Sequence, residues 1–199
     1  MRLLSEGDPI QRRLFQAALE LLAERGYRGA TTREIARRAG VSEVTLFRRF
    51  GSKKRLVQEA LLSFTPEAFL AALPREDDPL EAGLSRLFRA YQGLLEAHRA
   101  LFPKLLAELL RHPELLPEGP PQGMALALKA ILGFFQAQQI KGLLRRDEPP
   151  EELALAFIGP LFARFLLGEA FGVRLPVEEA AYIRGYLEGR HDPSGRRGS

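Results

Sequence analysis

The segment from residue 31 to 53, TTREIARRAGVSEVTLFRRFGSK, concentrates the side chains that could do chemistry in this chain. Its arginines and lysines could bind phosphate. Arg48 and Arg49 could also each donate two hydrogen bonds to O6 and N7 of guanine, the commonest base-specific contact in duplex DNA. These residue types favour recognition of a nucleic acid over catalysis.

Two short helices joined by a tight turn are predicted to position these side chains. Thr31 and Glu34 have the spacing of a capping box, so a first helix is expected from about Thr32. Gly40 is placed to end it, because glycine tolerates the left-handed conformation of a sharp turn. Ser42 is a favourable N-cap for a second helix. This layout is that of a helix-turn-helix, which places its second helix in the major groove of DNA.

The second helix is predicted to be amphipathic. Leu46 and Phe50 are four residues apart and therefore share its inward face. At about 100° per residue, the opposite face and its flanks carry Val44, Thr45, Phe47, Arg48 and Arg49. A helix this short is unstable alone in water. Its neighbours must hold the inward face, which leaves the outer face free for a partner.

Positive charge is concentrated in the first quarter of the chain. Residues 1–56 contain 13 Lys or Arg and 6 Asp or Glu, whereas the whole chain has a net charge of +4. Neutralisation of phosphates by such side chains supplies most non-specific DNA affinity. Ser52 is expected to cap a helix whose first turn is Lys53, Lys54 and Arg55. Three cations oppose the helix dipole there, and a bound phosphate would relieve the conflict.

The segment resembles the DNA-binding domain of the tetracycline-repressor (TetR) family. Members of that family carry a stretch much like T-x-x-x-I-A-x-x-A-G-V-S-x-x-T-L-Y-x-x-F-x-S-K-x-x-L near the N-terminus, and this chain matches it from Thr32 through Leu56. The resemblance implies that Lys53 grips phosphate at the start of the fourth helix. It assigns DNA contacts to Thr32, Arg33, Ser42, Glu43, Val44, Thr45, Phe47, Arg48, Arg49 and Lys53.

Two positions depart from the family pattern. Phe47 replaces the usual tyrosine, so no hydroxyl can donate to a phosphate there. Val44 replaces the common glycine and could instead contact a thymine methyl group. Arg48 is the first candidate for a guanine contact, whereas Arg49 has the alternative of pairing only with the backbone.

The rest of the chain predicts an all-α fold of about nine helices, because no stretch has the pattern of a strand. The expected helices span about 9–25, 32–39, 42–50, 52–73, 79–98, 100–111, 122–144, 151–171 and 177–188. Thr65-Pro66 is a candidate kink in the fourth helix, and PEGPP at 117–121 is expected to be a loop. The predicted domains are a DNA-binding domain at 1–56, an effector-binding and dimerisation domain at 57–190, and a disordered tail at 191–199.

The last two helices are too apolar for a free surface. One interpretation is a monomer core. The other, which TetR-like proteins favour, is a two-fold four-helix interface between two subunits. A helix-turn-helix dimer would span two half-sites about 34 Å apart. The predicted interface residues are Phe157, Leu161, Arg164, Tyr182 and Tyr186.

The resemblance also implies an effector pocket among the middle helices, a usual place for a cavity in a bundle. Large apolar side chains with few interior charges favour a hydrophobic or acyl ligand. Most of the candidate lining residues also fit an ordinary core. They are Phe88, Tyr91, Phe102, Phe134, Phe135, Gln138, Phe162 and Phe165.

The expected function is therefore a ligand-responsive regulator, by default a repressor that a small hydrophobic effector releases from a palindromic operator. Two alternatives stay open: an architectural DNA-binding protein without sequence preference, and a helical lipid or small-molecule carrier. An enzyme is disfavoured. The three histidines, at 98, 112 and 191, lie in no H-E-x-x-H motif, and no G-x-S-x-G motif or phosphate-binding glycine loop is present.

Composition limits the remaining possibilities. The chain has no cysteine, so it has no disulfide and no thiolate metal site. No uninterrupted apolar run reaches the length of about 18 residues that spans a membrane, and the first residues lack the apolar region of a signal peptide. We expect a cytoplasmic protein without a metal or other cofactor.

Overall fold

The computed structural model describes residues 8–63, 67–116 and 122–189. Within these ranges the chain is helical, with no β-strand, which confirms the predicted all-α fold. The described elements are ten α-helices and one 3₁₀ turn at Pro113–Leu115. The α-helices are α1 Pro9–Gly29, α2 Thr32–Ala39, α3 Glu43–Phe50, α4 Lys53–Leu62, α5 Glu67–Ala72, α6 Leu80–Ala97, α7 Phe102–Arg111, α8 Gln122–Ile140, α9 Pro150–Phe171 and α10 Glu179–Glu188.

The helices form two compact units. One unit consists of residues 1–65 and 99–124, and the other of residues 66–98 and 125–199. The expected domain boundary after residue 56 falls inside α4, and α7 groups with the first unit although it was expected in the effector domain. The functional division at residue 56 stays a prediction. The proposed kink at Thr65-Pro66, the loop at 117–121 and the tail lie outside the described residues.

Aliphatic side chains from five helices fill the core of the first unit. The apolar faces of α1, α2, α3 and α4 contribute residues at helical spacing, which is what buries one side of each helix. Leu105 of α7 and Leu115 of the 3₁₀ turn belong to the same buried cluster. The other buried members include Leu14, Leu21, Leu22, Ile35, Ala36, Leu46, Phe50, Leu56 and Val57.

Aromatic side chains organise the core of the second unit. The rings of Phe157 and Tyr186 meet edge to face with their centroids 5.0 Å apart. The Tyr186 hydroxyl donates to the Leu153 carbonyl at 2.9 Å, and the Tyr182 hydroxyl donates to the Phe157 carbonyl. Buried tyrosines commonly satisfy their hydroxyls in this way. α9 and α10 are therefore joined within one protomer.

Several helix boundaries differ from the sequence-based expectation, among them the end of α1, which lies at Gly29 instead of about residue 25. α8 ends at Ile140 instead of residue 144, because the N–H groups of Gly142 and Leu143 turn back to the carbonyls of Gln139 and Gln138. The predicted helix at 52–73 is divided into α4 and α5. At the end of α4 the Ser63 hydroxyl donates to the Ala60 carbonyl at 2.8 Å, as a terminating residue does.

α6 and α8 approach each other closely at Gly83. A Cβ atom at Gly83 would lie 2.2 Å from Cε2 of Phe134, a completely buried ring. We expect Gly83→Ala to lower the free energy of unfolding by about 1–3 kcal/mol, because the ring must leave its rotamer. Gly93→Ala, in the same helix, meets nothing within 4 Å and should raise stability by about 0.5–1 kcal/mol. Urea unfolding measures both, and equal midpoints would contradict the packing.

Candidate nucleic-acid interface

The structure confirms the predicted caps and turn of the helix-turn-helix. Thr31 is the N-cap of α2, and its hydroxyl accepts the N–H of Glu34. Gly40 ends that helix in the left-handed region at φ 67°. Ser42 is the N-cap of α3, and its hydroxyl accepts the N–H of Thr45 at 3.1 Å. Local hydrogen bonds therefore fix the start of each helix, as such residues do at a free helix end.

α3 presents an apolar outer surface that the fold itself does not use. Leu46 and Phe50 are buried on its inner side, as expected. On the outer side Val44 is 76% exposed and Phe47 is 45% exposed, and Arg48 is also exposed. Apolar and guanidinium groups side by side suit the edges of base pairs, where thymine methyl groups and guanine acceptors alternate.

The first turns of α2 and α3 are joined by a side-chain hydrogen bond. The Thr32 hydroxyl donates to the Glu43 carboxylate. Two of the predicted DNA-contact residues are thus bonded to each other, which fixes the distance between the two helix starts. Arg33, the next residue on α2, is exposed.

Arg48 and Arg49 differ in their surroundings. The Arg49 guanidinium pairs with the Asp8 carboxylate, and Asp8 is the N-cap of α1, accepting the Ile10 N–H at 2.9 Å. The Ile10 N–H and then Arg49 hold the pKa of Asp8 below its ordinary value. Arg49 therefore has a side-chain partner within the domain, whereas Arg48 has no such partner among the described residues. Its role in reading DNA stays a prediction, and Arg48 remains the first candidate.

Lys53, the predicted phosphate contact, is held by Tyr27. Its ammonium donates to the Tyr27 carbonyl at 2.6 Å and lies 4.2 Å from the centroid of the tyrosine ring. Burial lowers the pKa of this lysine from its ordinary value. Ser52 caps α4 by accepting the N–H of Arg55, as predicted. Sequence patterns missed Tyr27, because its contact with Lys53 joins positions 26 residues apart.

The predicted pocket residues are dispersed through the molecule. Phe88, Phe134, Phe135 and Gln138 are buried in the core of the second unit, and burial raises the pKa of the half-buried Tyr91 to about 12. Phe162 and Phe165 are half-buried on α9, and Phe102 begins α7 in the first unit. Their assignment to a ligand stays a prediction.

A groove in the second unit has the size of a small-ligand site. It has a volume of about 530 Å³, which lies in the range of pockets for drug-sized molecules. Its walls come from α5 and α6: Ala68, Phe69, Ala72, Arg86, Arg89, Ala90, Gly93, Leu94 and Ala97. None of the predicted pocket residues is among them. Small side chains make the space, and a search for large aromatics therefore overlooked it.

Three of the predicted interface residues lie inside the protomer. Phe157, Leu161 and Tyr186 are almost completely buried, and Tyr182 is half-buried against them. For these positions the structure agrees with the alternative interpretation, a monomer core. Arg164 is exposed, and its guanidinium donates to the Pro176 carbonyl in the connection after α9.

α9 also exposes apolar residues to solvent. They are Leu155, Ala163, Leu167 and Phe171, and at about 100° per residue they spread over roughly 160° of the helix surface. With only two charged residues in its most apolar stretch, α9 is long and apolar enough to cross a membrane by length and composition alone. One such helix is weak evidence, since core helices of soluble proteins pass the same test.

The described residues contain no cluster of side chains of the kind that binds a metal ion. Among these residues no group of three or more His, Cys, Asp or Glu side chains could hold a metal ion. His112 instead contacts the ring of Tyr27, with centroids 5.4 Å apart, and its Nδ1 lies 2.9 Å from a carboxylate oxygen of Glu114. This histidine takes part in the packing of the first unit.

Comparisons with known proteins agree with this geometry. A model of the family described as bacterial regulatory proteins, tetR family, matches residues 14–60. The chain is 54% identical over 164 residues to YvkB of Bacillus subtilis (strain 168), an uncharacterized HTH-type transcriptional regulator, with 79% of this chain and 82% of that protein covered. It is 34% identical over 86 residues to the class A tetracycline repressor protein from transposon 1721 of Escherichia coli, covering 43% and 40%.

A solved structure shows the same fold over nearly the whole chain. A TetR family transcription regulator from Marinobacter aquaeolei VT8 superposes with a TM-score of 0.70 at 18% identity. The superposition covers 96% of this chain and 100% of that one. The likeness extends beyond the helix-turn-helix to both compact units.

Proposed function

The chain belongs to the TetR family of DNA-binding transcriptional regulators, and we propose that it is a dimeric repressor that a small hydrophobic effector releases from a palindromic operator. Under this proposal the protein is cytoplasmic and its partner is double-stranded operator DNA. The observation that carries the DNA part is the exposed outer face of α3, with Val44, Phe47 and Arg48 on a helix whose inner face is fully used. An eight-residue helix held so firmly has no structural need for exposed apolar side chains.

The exposed side of α9 supports a dimer built from two copies of this chain. Leu155, Leu167 and Phe171 are large apolar side chains in solvent, with the small Ala163 between them. On α10 the small residues Ala181 and Gly185 are exposed. Small residues let two helices approach closely, and exposed apolar patches mark association sites. Regulators of this family dimerise, and a dimer presents two copies of α3 to one duplex.

The groove between α5 and α6 supports an effector with an apolar body and an anionic end. Its apolar walls favour a ligand with an apolar body over a sugar or an ion, and two arginines are part of the lining. Arg89 pairs with Glu179 at 2.8 Å, yet most of its side chain is exposed. A carboxylate on the ligand could compete with Glu179 for this guanidinium. A fatty acid has both features, in agreement with the acyl class expected from the sequence.

Release of DNA then follows from linkage between two sites. A ligand can shift an equilibrium only by its difference in affinity for the two states. The effector would bind more tightly to a dimer in which the two copies of α3 are no longer at the spacing of the half-sites. By reciprocity, operator DNA would weaken the binding of the effector by the same factor.

Selection of duplexes from a random pool with the purified protein tests the DNA part. We expect a two-fold symmetric motif with a steep dependence of affinity on salt. Arg48→Ala should weaken binding to that motif by roughly 5- to 150-fold and relax the preference at one base pair of each half-site, since a bidentate guanine contact contributes about 1–3 kcal/mol. The control is Arg38→Ala, because Arg38 is paired with Glu24 of α1.

The outcomes separate the alternatives that the sequence left open. A motif that Arg48→Ala leaves unchanged would contradict the role of this side chain. Weak binding to every duplex would favour an architectural protein, and no salt-dependent binding would favour a carrier.

The dimer can be tested on the exposed face of α9. Leu167→Glu should convert the dimer to a monomer in analytical ultracentrifugation, because a carboxylate cannot be buried unpaired in an apolar interface. Affinity for the palindrome should fall with it. Leu110→Glu places the same charge at an exposed leucine of α7 and should leave the dimer intact. A fully dimeric Leu167→Glu protein would exclude this face as the interface.

The effector class can be tested by filling the groove. Dodecanoic acid should raise the midpoint of thermal unfolding and release the selected duplex, whereas dodecan-1-ol should do so less, since it lacks the anion. Gly93→Leu should abolish both effects and leave binding to DNA intact, because a Cβ there meets nothing within 4 Å. Ala71→Leu adds the same side chain on α5 outside the lining and is the control. If Gly93→Leu and Ala71→Leu responded equally to dodecanoic acid, the effector would not bind in this groove.

A further inference from the structure

A buried carboxylate of α7 holds the end of α1. Glu108 is only 8% exposed, and one of its oxygens accepts the backbone N–H of Tyr27 at 2.8 Å. Arg111 donates to the other oxygen at 2.8 Å. The Tyr27 N–H and then Arg111 hold the pKa of Glu108 below its ordinary value. The carboxylate is therefore charged at neutral pH and fully engaged.

The break in α1 creates the need for this acceptor. Gly26 has φ 70° and ψ 172°, so the regular helix ends before it and Tyr27 no longer follows the helical hydrogen-bond pattern. A buried N–H group must find another partner. A Cβ at Gly26 would lie 3.0 Å from Oε2 of Glu108, so the carboxylate packs directly against the broken turn. It therefore holds the peptide group between Gly26 and Tyr27, and with it the start of the Tyr27 backbone.

Tyr27 in turn sets the position of Lys53. Its carbonyl accepts a hydrogen bond from the lysine ammonium, and its ring lies beneath the same ammonium. An ammonium has three N–H donors and the carbonyl takes one, which leaves donors for a phosphate. The same ring also contacts the ring of His112, just after α7. Tyr27 therefore links α7 to the first residue of α4.

We propose that Glu108 is a positioning residue for DNA binding: through the backbone of Tyr27, whose N–H it accepts and whose carbonyl accepts from Lys53, it holds the Lys53 ammonium where it meets a phosphate. The inference rests on the proposed function, since it requires Lys53 to contact DNA. Glu108 contacts the protein only, and its effect on DNA is carried by Tyr27. Any rearrangement that lifts α7 from the end of α1 would release the lysine and weaken DNA binding without changing a single side chain on α3.

The salt dependence of DNA binding tests the series of contacts that runs from Glu108 through Tyr27 to Lys53. The probe is a fluorescein-labelled duplex carrying the selected motif, titrated with full-length protein at several salt concentrations. Lys53→Ala should reduce the slope of log K against log salt by about 0.9 per lost phosphate contact. Glu108→Ala should reduce it by the same amount, and the double variant should show no further change. Glu108→Gln should keep most of the slope, because its amide oxygen still accepts the Tyr27 N–H.

Glu24→Ala is the control for charge. It removes one negative charge from α1, where Glu24 pairs with Arg38, and should leave the slope unchanged. Losses of slope that add in the Glu108→Ala, Lys53→Ala double variant, or an unchanged slope in Glu108→Ala, would overturn the inference. A wild-type protein that binds no DNA would instead overturn the proposed function.

A second measurement without DNA separates positioning from general loss of structure. In the folded protein the Tyr27 ring should shift the proton resonances of the Lys53 εCH₂ group upfield. Glu108→Ala should abolish this shift and Glu108→Gln should retain it, while the methyl resonances of Leu46 and Ile35 report an intact core. An upfield shift that persists in Glu108→Ala would show that the lysine is positioned without Glu108.

Discussion

A short helix cannot stand alone in water, and the organisation of the first unit follows from this constraint. α3 has eight residues, fewer than an isolated helix needs. Its stability comes from Leu46 and Phe50, which belong to the buried cluster that side chains of α1, α2, α4 and α7 also build. Because the inner face alone holds the helix, the outer face can be chosen for a partner. Helices that contact no base are therefore as necessary for recognition as α3 itself.

The parts of the site that the sequence predicted are those fixed by local interactions. Thr31, Gly40 and Ser42 act within four residues of their own positions, and capping and turn rules describe such contacts directly. The ion pair of Arg49 with Asp8 and the hydrogen bond of Tyr27 with Glu108 join distant positions. Only the packing of the helices brings these groups together, so no spacing in the sequence could reveal them.

α9 shows why an apolar pattern predicts burial more reliably than it predicts the partner. The helix is apolar nearly all round, so its sequence fits a core and an interface equally well. In the structure one side, with Phe157 and Leu161, enters the protomer core, and the side with Leu155 and Leu167 stays exposed. The core interpretation thus holds for the buried side of the helix, and the dimer interface proposed above would use the exposed residues. The groove could not be predicted from the sequence, because the alanine and glycine residues in its walls are those of any ordinary helix.

The grouping of α7 with the first unit changes how an effector signal could travel. Residues 99–124 belong to the first unit, while the chain before and after them belongs to the second. The second unit, where we propose that the effector binds, is therefore covalently connected to the first through the segment of α7 as well as through the connection after α4. Coupling requires an element with two arrangements that both sites bias. The segment that contains α7 adjoins the second unit at both of its ends in the sequence, and α7 is bonded to Tyr27 within the first unit; a second arrangement of α7 is what coupling would require.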